Sequence, residues 1–157
     1  MPGWTMPLMR RAGAFVAALV VMVLLGSIAH SLFVQDAWST AVAAAEGTPG
    51  DIPMDHRLAW IAHDLVGLEP LYGVLTAIAL LIAFLVAGLV ARFTGLRPIV
   101  FTVAGAVAIY VLFWALKTNL GTVGVFGARG TMGLAAQILA GAVAGLSFAL
   151  LTRPRVR

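Results

Sequence analysis

The chain has 157 residues, 62% of them apolar and only 10% charged, with a mean hydropathy of +1.04. A water-soluble domain carries about 25% charged residues, so this composition excludes one and points to a chain whose apolar surface faces lipid. The net charge of +4 comes from short basic clusters beside apolar runs, with no basic stripe, which excludes nucleic acid as a partner. With no cysteine, disulfides, thiol nucleophiles, Cys-ligated zinc, iron–sulfur clusters and thioether-attached haem are excluded as well.

Four apolar runs dominate, and none contains Asp, Glu, Lys or Arg. The first, residues 12–34, follows Arg10 and Arg11. Its length exceeds the 7–15 residues of a signal-peptide core, and the small residues Ala43 to Ala45 lie well beyond it, so it reads as a retained helix. Residues 35–69 then form a loop. Its alanine-rich start, residues 35–45, can prolong the first helix, and residues 47–53 hold the glycine and proline of a turn. Asp55 is a candidate N-cap for a short helix over residues 56–68. Leu58, Ile61, Ala62, Leu65 and Leu68 recur at helical spacing there, which predicts an amphipathic helix on the membrane surface or capping the bundle.

The other runs cover residues 71–91, 99–116 and 132–151, each close to the ~20 residues a helix needs to cross a bilayer. Pro70 and Pro98 sit where a first helical turn tolerates proline, and Arg92 and Arg153 close their helices where a cation suits the dipole. The few residues between the second and third runs predict an antiparallel hairpin. Before the fourth run, glycine recurs every third residue from Gly121 to Gly133, which reads as a tightly folded or mobile loop, with a re-entrant loop as the alternative. The fold expected is all-α: one integral membrane four-helix bundle over residues 1–157.

Charge gives the bundle a direction. Arg10, Arg11, Arg92, Arg97, Arg153, Arg155 and Arg157 fall on one side, and Arg57, Lys117 and Arg129 on the other. Loops rich in Lys and Arg stay in the cytoplasm, so both termini are expected there, in a bacterial inner membrane. All six acids, from Asp36 to Glu69, lie in the loop on the outer side. Trp38, Trp60, Trp114, Tyr72 and Tyr110 read as an outer aromatic belt, with Trp4 as its inner counterpart.

Three groups of residues are candidates for chemistry. Asp64, Glu69, Lys117 and Arg129 all sit at outer helix ends. They can converge on a cavity for a lipid headgroup, a quinone or a small solute, with Asn119 and Gln137 adding amides, or they can be snorkelling residues at the water boundary. His30 and His63 are the pair able to hold haem b between two helices. His56 and His63, about 10 Å apart at ~1.5 Å per residue, cannot share a metal. Gly133, Gln137, Gly141 and Gly145 recur every four residues, and Gly141 with Gly145 forms a GxxxG pair for close helix packing, within the chain or between copies. Gln137 alone reads as an amide that hydrogen-bonds a neighbouring helix.

No phosphate-binding loop, HExxH or GxSxG is present, and no span carries the charged residue that ion-coupled transport usually needs. No catalytic residue is expected. The leading expectation is a non-catalytic accessory subunit or anchor, alone as a homo-oligomer or in a larger membrane complex. It would act through helix packing and its outer loop. A lipid, quinone or solute binder with an outer cavity is the first alternative, and a haem b redox protein the second.

Overall fold

The computed structural model describes residues 8–153 except Pro49, Leu68, residues 122–127 and Arg129, with nothing said of the side chains of Val66, Glu69, Pro70, Leu71 and Leu120. The five helices in the described residues are α1 (Leu8–Glu46), α2 (Met54–Gly67), α3 (Glu69–Thr94), α4 (Arg97–Leu120) and α5 (Thr131–Leu151). No strand occurs among them. Helices α1, α3, α4 and α5 are long and apolar enough to cross a membrane. Most of the glycine-repeat loop lies outside the described residues, although Ala128 within it is buried.

The ends of these helices follow the sequence signals, with two adjustments. Pro98 stands in the first turn of α4, and Pro70 in that of α3. The alanine-rich stretch does prolong the first helix: α1 has 39 residues, about 58 Å at ~1.5 Å per residue, against ~30 Å of hydrocarbon. Asp55 lies inside the first turn of α2, which starts at Met54, so it is not the N-cap; a carboxylate there still favours the helix N-terminus. The bond from the Arg57 amide to the Pro53 carbonyl opens that helix.

The spans pack in the order α1, α5, α4, α3, with α4–α5 the most extensive contact and α1–α3 a slight one. At the α4–α5 contact the two backbones meet. A Cβ added to Gly105 would lie 2.1 Å from the Gly141 carbonyl oxygen, and one on Gly145 would lie 2.0 Å from that of Phe101. Lipid tails are as apolar as leucine, so burial gives neighbouring spans no reason to associate. Close van der Waals packing does, and only residues without side chains permit it.

Each span also contributes one ring to a phenylalanine cluster. Phe84 stacks on Phe148 at 4.8 Å between centroids and meets Phe101 edge-on at 5.6 Å, while Phe15 closes on Phe84 at 6.2 Å. The cluster lies towards the end where the basic residues collect. There Arg10 donates to the Leu151 carbonyl at 3.2 Å and Arg97 to the Thr152 hydroxyl at 2.8 Å, which gathers the start of α1, the start of α4 and the end of α5. The acids and α2 occupy the opposite end.

Replacing Gly141 or Gly145 by valine forces the α4 and α5 backbones apart, at a cost of about 1–3 kcal/mol or more. Thermal unfolding in mild detergent should show a clear fall in midpoint for both. Gly13→Ala, where a Cβ meets nothing within 4 Å, should leave it unchanged.

Candidate functional site

The polar residues inside the spans gather in the half of the bundle nearer the acidic end. On α1, Ser27, Ser31 and Gln35 recur every four residues on one face with His30 beside them, and all four are buried. Thr76 on α3 and Gln137 on α5 are also fully buried. Polar side chains are costly inside a bilayer, so such a stripe needs partners or a task.

Gln137 has partners on two helices. Its amide nitrogen Nε2 donates to the Gly26 carbonyl at 2.9 Å, and its Oε1 accepts from the Tyr72 hydroxyl at 2.7 Å. One amide thereby joins α5 to α1 and α3. Gly26 makes the junction possible, because a methyl group there would sit 2.6 Å from the Tyr72 oxygen. Tyr72 is therefore not a belt residue. It is 93% covered, since only 7% of it is exposed, and it also stacks on Phe113 of α4 at 6.4 Å. Trp38, Tyr110 and Trp114 are exposed, as a belt requires.

Helix α2 is fixed to the upper part of α1 by polar bonds. Ser31 donates to the Asp64 carboxylate, and Gln35 donates to the Arg57 carbonyl at 3.3 Å. The Arg57 guanidinium reaches the Ile52 carbonyl at 3.0 Å, and Trp38 meets Trp60 edge-on at 6.3 Å. The face of α2 turned inward thus carries Arg57, Trp60, Ile61 and Asp64, all half-buried. Met54, Leu58 and Ala62 are exposed. The apolar face predicted from the sequence is split: Ile61 and Leu65 are half-buried, while Leu58 and Ala62 are available to the membrane surface.

Of the six residues proposed for an outer cavity, the structure places Asp64 of α2 against Ser31 of α1 and Gln137 in the bundle interior. Lys117 and Asn119 are exposed at the end of α4, where Asn119 donates to the Ala115 carbonyl at 2.8 Å. Arg129 and the side chain of Glu69 lie outside the described residues. A cavity of about 450 Å³ opens at this end, between the top of α1 and the start of α2, but Trp38, Asp51, Ile52, His56 and Trp60 line it, and none of the four described candidates does. His30 is buried with Asp64 close enough for their charges to interact, whereas His63 is exposed on α2. That placement lends the haem reading no support. Gly133 is buried, as are Gly141 and Gly145.

Gln35 Oε1 and Thr76 Oγ1 are buried without a hydrogen-bond partner. Buried polar atoms are nearly always paired, so each of these two, one on α1 and one on α3, marks a point that can receive a water or a polar group. Among the described residues no three His, Asp or Glu side chains are grouped to hold a metal. No family model matches the chain, and no curated protein or solved structure matches it either.

Two sets of substitutions separate the roles of these bonds. Interhelical hydrogen bonds in membranes average about 0.6 kcal/mol and reach ~1.7. Tyr72→Phe should therefore lower unfolding stability by about that amount, and Gln137→Leu, which removes two bonds, by about twice as much. Asp64→Ala should free α2: hydrogen exchange should rise across residues 54–67 while α4 and α5 keep their protection.

Proposed function

We propose that this protein is a non-catalytic subunit or anchor of a membrane assembly, and that its working part is the unit formed by α2 and the upper turns of α1. The observation that carries the reading is the length of α1 together with its ties to α2. Residues 35–46 of this helix extend about 18 Å, at ~1.5 Å per residue, past its apolar run. Such a projection needs support, and Ser31–Asp64, Gln35–Arg57 and Trp38–Trp60 supply it. The result is a braced arm above the bundle, bearing exposed Asp36, Glu46, Asp51, Asp55, His56 and His63. Exposed charge on a rigid mount suits recognition of another protein more than it suits catalysis.

In this reading the chain sits in a bacterial inner membrane with both termini in the cytoplasm. Seven of the ten basic residues are placed by the sequence at the end where α1 starts and α5 finishes, as the positive-inside tendency requires. The arm then stands on the outer side. A C-terminal fluorescent-protein fusion should glow, and an alkaline-phosphatase fusion at the same point should be inactive. The opposite pair of results reverses the orientation.

Native mass spectrometry after gentle extraction tests the assembly itself. A defined homo-oligomer or complex should survive, and it should dissociate when residues 54–67 are replaced by a glycine–serine linker of equal length. A strict monomer in both proteins sinks the proposal.

One observation favours a second reading, that of a binder of a small polar solute in the outer half of the bundle: the unpartnered Gln35 Oε1 and Thr76 Oγ1. A co-purifying small molecule should then vanish in Gln35→Leu and Thr76→Val. Protein that carries no small molecule under any mild extraction ends this reading.

A further inference from the structure

The slight contact between α1 and α3 leaves a lateral groove at the basic end, independent of the arm and of the polar stripe. Its volume is about 540 Å³, within the ~300–1,000 Å³ of ordinary ligand sites. Phe15, Phe84, Phe101 and Phe148 form its floor, and Leu81 and Leu89 its side. At its mouth stand three arginines from three helices: Arg11 of α1, Arg92 of α3 and Arg97 of α4.

Three arginines from three helices concentrate positive charge at this mouth. Every Asp and Glu lies between residues 36 and 69, a stretch that ends where α3 begins, at the other end of the bundle. Arg97 is the most informative of the three. It is half-buried, its guanidinium lies 5.0 Å above the Phe101 ring, and one of its terminal nitrogens is held by Thr152. Its Nε is buried and has no hydrogen-bond partner. A guanidinium held in that pose at the mouth of the groove suits an anionic oxygen acceptor. Beneath it runs a slot too apolar for a free polar solute.

An apolar slot that opens sideways to lipid, with arginines at headgroup level, matches one amphiphile. We propose that the groove between α1 and α3 is a binding site for an anionic phospholipid, with an acyl chain lying against the four phenylalanines and the phosphate held by Arg97, Arg11 and Arg92. Basic pockets between membrane helices recognise anionic headgroups through the same combination of charge and shape. The lipid also closes the gap that the slight α1–α3 contact leaves open, so its binding stabilises the bundle.

The test uses the full chain, stripped of lipid in detergent and then offered phosphatidylglycerol or phosphatidylcholine. Native mass spectrometry should show phosphatidylglycerol retained in preference to phosphatidylcholine, and thermal unfolding should show stabilisation by phosphatidylglycerol alone. Arg97→Gln should cut the preference roughly fivefold, the size expected for one basic residue facing an anionic surface. Arg11→Gln and Arg92→Gln should act likewise, while Lys117→Gln at the far end should not. Because Arg97 also bonds Thr152, a second variant leaves the arginines intact: Gly88→Leu adds a side chain to the groove wall at a position where a Cβ meets nothing within 4 Å. It should keep the fold and lose the bound lipid. Equal retention of the two lipids overturns the site, as does a Gly88→Leu protein with unchanged preference. Equal stabilisation by inorganic phosphate alone overturns the assignment to a lipid.

Discussion

The approach of α4 to α5 at Gly105, Gly141 and Gly145 is the contact on which the other packing rests. In a bilayer, helices gain nothing by hiding apolar surface from one another, so a bundle needs places where backbones touch. This contact sets the register between the two helices. With Gly105 against Gly141, Phe101 falls opposite Gly145, and Phe148 comes within 5.0 Å of Phe101. One turn on from Gly141 in the other direction, Gln137 is presented to Gly26 and Tyr72. The phenylalanine cluster and the amide junction are thus both consequences of where three glycines stand.

The two halves of the bundle are held by different forces. Near the basic end the contacts are mainly aromatic, with two arginine hydrogen bonds at the rim, and α1 and α3 touch so little that a groove remains between them. Near the acidic end the contacts are hydrogen bonds with fixed geometry, and they join α1, α2, α3 and α5. Directional bonds suit an end that must hold a projecting helix at a set angle. Aromatic packing leaves space at the edge of the cluster, and space beside positive charge is an invitation to an anionic amphiphile. The two proposals follow from this division, the braced arm from the polar end and the lipid groove from the aromatic one.

Glycine also takes a second, quieter part. At Gly26 its missing side chain makes room for two polar groups from other helices, and without that room Gln137 would be an amide stranded in hydrocarbon. Small residues in membrane helices therefore do more than bring backbones together: they also admit the polar bonds that fix one arrangement among many similar ones.

What the sequence determined by itself was the set of spans and the distribution of charge that the bilayer governs. Four uncharged runs of suitable length, proline in first turns and the split of acidic and basic residues follow from the cost of placing charge in hydrocarbon, and they were legible residue by residue. The short helix near residues 56–68 was legible from its period, as were Gly141 with Gly145 and Gln137 as points of interest. Which partners these residues meet was decided only by the tertiary structure. Ser27, His30, Ser31 and Gln35 share a face that their spacing could have revealed, but nothing local shows that α2 would turn Asp64 and Arg57 towards it in place of its leucines. Tyr72 has the sequence context of a belt residue and becomes an interior donor because α5 brings an amide to it. The groove at Arg97 is the clearest case. A gap exists only between elements, so no run of residues records it, and its shape comes from how little α1 and α3 touch.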